Sequence, residues 1–152
     1  MCAARTPTSR RAHAGGCGHV HAGGRAAALC AAYSQIFYAD DQRTWDFAVT
    51  LAIHNTDETH LLAVQAPSDY SGDGALVRDM WPMFLLPPLA THAVTVARND
   101  NEGGVGANFI VEWAADAPVV APVVQAVMIS AAGQQGLSLI TDAVVIEETG
   151  KQ

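Results

Sequence analysis

The chain has 152 residues and a mass of 15.9 kDa, one domain's worth, and half of it is hydrophobic, enough to bury a core. Its net charge of −7 is uneven: all fifteen Asp and Glu residues follow residue 39, while Arg5, Arg10, Arg11 and Arg25 precede Leu29, so that from there on four basic residues face fifteen acidic ones, net −11. Such a surface repels phosphate backbones and argues against nucleic acid as a partner, and no run of about 18 apolar residues offers a membrane span.

Residues 1–29 are rich in Ala, Gly, Arg and His, lack acids and show no apolar period, which predicts a disordered leader or a degenerate targeting segment. Ser9-Arg10-Arg11 resembles the start of a twin-arginine signal, but Gly15, Gly16, Gly18, His19 and His21 break the apolar stretch that an export signal needs. The same stretch gathers His13, Cys17, His19, His21 and Cys30, ligand types that zinc and copper prefer. A glycine-rich tract offers them neither fixing turns nor supporting hydrogen bonds, so no metal site is assigned. With Cys2, the cysteines number three, all near the start, which is no disulfide framework.

The domain is expected over 30–147. Phe47, Val49, Leu51 and Ile53 alternate with smaller or more polar residues, the period of a half-buried strand. Asn55-Thr56-Asp57 ends it, and Leu62–Ala66 is a second strand. Ser71-Gly72-Asp73-Gly74 predicts a hairpin turn, with Ala75–Arg78 returning. Pro82, Pro87 and Pro88 exclude a helix or a central strand between them. Ala93–Ala97 reads as a short strand and Asn99–Gly104 as a polar loop. Asn108–Trp113 alternates again, with Phe109, Val111 and Trp113 on one face. Val123–Ile129 has the length and the Val/Ile content of a core strand. Gly133–Gly136 turns the chain, Leu137–Thr141 and Ala143–Glu147 close it, and 148–152 is expected to be a disordered tail. The pattern predicts an all-β fold, an immunoglobulin-like antiparallel sandwich of about seven to nine short strands.

At this point six blocks carry a resemblance. Tyr33-Ser-Gln-Ile-Phe37, Leu51-Ala-Ile-His-Asn-Thr-Asp57, Tyr70-Ser-Gly-Asp-Gly74, Leu86-Pro-Pro-Leu-Ala-Thr91, Gly103-Gly-Val-Gly-Ala-Asn-Phe-Ile-Val-Glu-Trp113, and Val127-Met-Ile129 with Gln135-Gly-Leu-Ser138 occur in order over nearly all of 32–146. They resemble a bacterial domain-of-unknown-function family, number 3124. The resemblance implies an exported, periplasmic or otherwise extracytoplasmic setting and supplies no catalytic residue. The leader departs from the family's usual export signal, and Gln125 stands where an acid is expected.

Chemistry is sparse. Asp69-Tyr-Ser-Gly-Asp-Gly74 echoes half a calcium loop, but the closing acid falls at Met80, so a hairpin is the better account. Asn99-Asp100-Asn101-Glu102 is oxygen-rich in the way polar loops are. There is no Gly-x-Ser-x-Gly elbow, no zinc-protease motif, no phosphate loop and no cofactor signature. Gly103–Gly106 is read first as the backbone of a tight loop that Asn108 caps, with Trp113 filling the core; the functional alternative makes this loop and the Asn55–Asp57 turn two walls of a ligand site at one end of the sandwich, with Asn55, Asp57, Asp100 and Asn108 as candidate binding residues. The first expectation is a non-enzymatic binding or accessory domain for a protein, glycan or envelope component. The second is a small enzyme or metal-dependent module using Asp57, Asp100 and His54.

Overall fold

The computed structural model describes residues 19–20, 24–132 and 135–149. It is an all-β sandwich built from antiparallel pairs. The strands are β1 (His19–Val20), β2 (Arg25–Ala31), β3 (Gln35–Tyr38), β4 (Asp40–Asp46), β5 (Ala48–His54), β6 (Leu62–Val64), β7 (Ser68–Tyr70) and β8 (Leu76–Asp79). They continue with β9 (Phe84–Leu86), β10 (Thr91–Val96), β11 (Asn108–Ala114), β12 (Val119–Val120), β13 (Val123–Ala132), β14 (Gln135–Asp142) and β15 (Val144–Glu148). No helix occurs among the described residues, so none is long and apolar enough to cross a membrane.

One sheet runs β10-β5-β13-β14. The other runs β15-β2-β11-β6-β9, with β7 also paired to β11 and β8 to β7. Alternation decides which side chains meet between them. Val49, Leu51 and Ile53 point inward from β5, with Val94 and Val96 from β10 and Val124, Ala126 and Met128 from β13. From the other sheet come Phe109, Val111 and Trp113 of β11, Leu62 and Val64 of β6, and Leu86 of β9. The three β11 side chains are at most 2% exposed. Opposite them in register stand Cys30, Ala28 and Ala26 of β2, so each large side chain has a small neighbour to lean across.

Three expectations change here. The domain boundary set at Cys30 falls inside β2, and Glu148 and Thr149, assigned to a tail, are part of the fold: Thr149 donates its N–H to the Arg25 carbonyl (2.8 Å). An alanine-rich strand lacks the contrast that an alternation reading needs, so the pattern does not separate Arg25–Leu29 from the leader. The rest of that leader, apart from the His19–Val20 pairing with β12, lies outside the described residues, as do residues 150–152. Among the described residues the strands number fifteen rather than seven to nine, because two- and three-residue strands and the β3–β4 hairpin carry too few residues to show a period. The prolines around β9 leave room for a three-residue strand at the sheet's edge, where a missing N–H costs least.

If steric fit rather than composition dictates alanine in β2, Ala26→Leu, beside Trp113, lowers unfolding free energy by about 1–3 kcal/mol through overpacking. Ala131→Leu, on an exposed position of β13, leaves it unchanged; urea titration separates the two.

Candidate functional site

The sandwich has two ends, and the register of β5 with β10 shows which loops share one. Val49 pairs with Val96, and His54 pairs with Thr91. The Asn55–Asp57 turn leaves β5 at the His54 end, whereas the 97–107 loop leaves β10 at the Val96 end. At roughly 3.3 Å per residue the two exits are about 17 Å apart. The expected two-walled site therefore does not form: Asn55 and Asp57 lie at one end, Asp100 and Asn108 at the other.

At the first end Asn55 is 2% exposed and fully used. Its amide nitrogen donates to the carbonyls of His60 (2.9 Å), Leu86 (3.1 Å) and Pro87 (3.0 Å), and its amide oxygen accepts the Asp57 N–H (3.0 Å). With its own N–H on the Ala90 carbonyl (2.9 Å), one side chain ties the end of β5 to the 57–60 turn and to the segment after β9. Asp57 caps that turn, accepting the N–H groups of Thr59 and His60 (both 2.8 Å), the Thr59 hydroxyl and His60 Nδ1 (both 3.1 Å). These donors, the Thr59 N–H foremost, favour the ionised form and lower its pKa to about 2. His54 is engaged elsewhere, its Nδ1 2.8 Å from Thr91 Oγ1 on β10.

At the second end the β7–β8 hairpin packs on the 97–107 loop. The expected turn is present: the Gly74 N–H donates to the Ser71 carbonyl and the Ser71 N–H to that of Ala75 (both 2.9 Å). The Gly72 N–H reaches the Gly103 carbonyl (3.2 Å), and a Cβ on Gly72 would collide with the Val105 carbonyl. Gly104 and Gly106 adopt φ of +67° and +90°, which side chains strain to reach. Ser34 Oγ adds a bond to the Gly104 carbonyl (3.2 Å). Asn108 opens β11, its amide only 3.5 Å from the Gly106 carbonyl.

The centre of this end is a group sequence reasoning missed. Arg78 of β8 holds Asp100 through two bonds of 2.6 and 2.7 Å, with Glu102 at 3.5 Å and Asp69 of β7 at 3.6 Å. The fork to Asp100 lowers that acid's pKa and raises that of Arg78. Asp69 is 4% exposed, and burial raises its pKa against the pull of Arg78. One signal for this group was in the sequence: Arg78 is one of four basic residues after residue 29.

No two of His54, Asp57 and Asp100 are hydrogen-bonded to each other, and none of the three lines the concavities over Ala27 (about 320 Å³), beside Ala63 (about 290 Å³) or beside Trp113 (about 230 Å³). Among the described residues no three His, Cys, Asp or Glu side chains converge as metal ligands; His13, Cys17 and His21 lie outside them. The Cys30 thiol is buried near Thr141, and burial pushes its pKa up.

These features define an all-β sandwich whose polar loop residues build its two ends. The chain belongs to the family described as Protein of unknown function (DUF3124), whose model matches residues 26–146. No curated protein and no solved structure matches it.

Two outcomes follow. Asn55→Ala leaves three carbonyls without their donor and lowers stability by about 2–4 kcal/mol, read by denaturant unfolding. The acids have opposite pH signatures. Asp57 contributes stability that is present above 3.8 and lost as pH falls through about 2. The raised pKa of Asp69 makes its contribution complete below 3.8 and lost as pH rises through the raised value. The melting temperature of Asp69→Asn therefore gains on the parent as pH rises above 3.8 through that raised value; a constant gap across the pH series would show that Asp69 does not titrate abnormally.

Proposed function

We propose that this chain is a non-enzymatic binding or accessory domain, working outside the cytoplasm as the family resemblance implies, and that it holds a partner protein through an edge of the larger sheet. The observation that carries the reading is the stretch from Trp81 to Leu85. Trp81, Met83 and Leu85 are 50%, 59% and 60% exposed within five residues, on and just before edge strand β9. Large apolar side chains rarely gather in solvent without a partner to cover them. Phe84, between them, turns inward onto His92 of β10, with ring centroids 4.2 Å apart, and so anchors the stretch.

Pro82 before β9 and Pro87-Pro88 after it limit how far a backbone ladder could extend. A partner's extended segment would find few main-chain bonds here and would depend on apolar contact with Trp81, Met83 and Leu85. The polar candidates of the enzymatic alternative point the other way, since His54, Asp57 and Asp100 are engaged with Thr91, the 57–60 turn and Arg78.

The test is selection of binding peptides from a displayed library of extended, alternating apolar sequences. Selected peptides raise the melting temperature of the parent, and Met83→Glu or Leu85→Glu abolishes the shift without altering the free protein's melting point. Asp57→Asn, Asp100→Asn and His54→Ala keep it. Loss of the shift in those three variants, with the β9 variants unaffected, would overturn the proposal in favour of the end loops.

A further inference from the structure

An exposed sheet border invites pairing with another chain, and most borders of this sandwich carry a device that discourages it. β9 is three residues long between Pro82 and Pro87. β8 is four residues long and ends in Arg78 and Asp79. β15 has a bulge between Val145 and Glu147 and carries two acids. β10 is flanked at His92 by the rings of Phe84 and Trp81, with centroids 4.2 and 6.1 Å away. β14 has none of these devices. Its eight residues, Gln135–Asp142, pair with β13 in unbroken register, include no proline and are uncharged up to Asp142. Among the described residues no strand lies on its other side.

The ladder shows which backbone groups face that border. The Ala143 N–H donates to the Val124 carbonyl (2.9 Å), continuing the β13–β14 register by one residue. Bonded and non-bonded positions alternate along an antiparallel ladder, so the odd-numbered residues of β14 use their backbone groups on β13. Gly136, Ser138, Ile140 and Asp142 direct theirs outward. Side chains alternate as well. Leu137 and Leu139 pack on the core, whereas Ile140 is 66% exposed, and Ile129, opposite Ser138 on β13, is 56% exposed.

We propose that β14 pairs antiparallel with β14 of a second copy of this chain, about a two-fold axis at Leu139, which joins the smaller sheets of the two copies into one. Such an axis must set a residue against itself, because facing side chains share a face of the sheet. At Leu139 it sets Gly136, Ser138, Ile140 and Asp142 against Asp142, Ile140, Ser138 and Gly136 of the second copy, so every outward backbone group finds a partner. The side chains agree with that register. Exposed Ile140 faces a serine, and Val127, Ile140, the second copy's Ser138 and its Ile129 form one row across the joint. Charge favours a copy at this border and few others. With fifteen acids against four basic residues from Leu29 on, two copies repel over most of their surfaces. Here the two Asp142 lie six residues apart along the joint, about 20 Å, beyond the range of screened repulsion. The joint shares no residue with the β9 edge, so either proposal can stand without the other.

Sedimentation velocity of the full chain, in reductant so that cysteines do not link copies, tests the joint. The parent passes from monomer to dimer as its concentration rises from about 1 to about 300 µM. Over the same series, hydrogen exchange slows at the Ser138 and Ile140 amides. Ser138→Pro removes an outward N–H without touching the β13 ladder and raises the dimer Kd at least about tenfold. Ile140→Lys has the same effect through its side chain should the first variant unfold, and Leu85→Glu on β9 leaves the dimer unchanged. A monomer at every concentration, a dimer that survives both β14 variants, or a dimer lost in Leu85→Glu would overturn the proposal. Slowed exchange at Ser138 and Ile140 that appears only with an added extended peptide would overturn it too, and assign the border to a foreign strand.

Discussion

Trp113, Val111 and Phe109 lean across Ala26, Ala28 and Cys30, and most of the fold depends on that contact. Facing sheets sit about 10 Å apart, and three large side chains in a row use much of that depth. Only a partner strand made of small residues lets them lie flat against Leu51, Ile53 and Met128 without forcing the layers open. This pairing sets β2 against β11, and the inward face it fixes sets the register of everything beside it.

Register in turn decides where the polar residues can act. β5 and β10 deliver their loops to opposite ends, so acids that are neighbours in an inventory are strangers in space. Each end then meets the same problem, how to hold exposed chain against a small core, and solves it differently. One end uses a neutral side chain, Asn55, whose amide serves several carbonyls at little electrostatic cost. The other uses Arg78 among Asp69, Asp100 and Glu102, where Coulomb attraction offsets the desolvation of a buried carboxylate only in part. In a chain so short of cations, a guanidinium between three acids also keeps them from repelling the hairpin and the loop apart.

The sequence disclosed the parts of the fold that alternate. Val49, Leu51 and Ile53, and Phe109, Val111 and Trp113, could be assigned a face because large apolar residues stood against small or polar ones. The Ser71–Gly74 turn was legible because glycine and aspartate are needed there for geometric reasons. β2 was not legible, since its alanines make sense only beside β11, more than eighty positions away. The candidate site failed for a related reason. Asn55 and Asp57 were noticed for their chemistry, but whether a polar side chain is free or already bonded depends on backbone groups that turn up at Leu86 and Pro87. The exposed run at β9 went unread because a short strand between prolines has no period from which to infer a face.

The passage from β14 to β15 uses a single intervening residue, Ala143, so one continuous stretch of chain forms the border of both sheets. Thr141 strengthens this border by donating its hydroxyl to the Ala31 carbonyl. On the far side, the borders β9 and β10 are joined by the four-residue link 87–90 and, across the gap, by Phe84 on His92. The chain therefore clasps the two layers at both borders, through one residue at Ala143 and through four at 87–90.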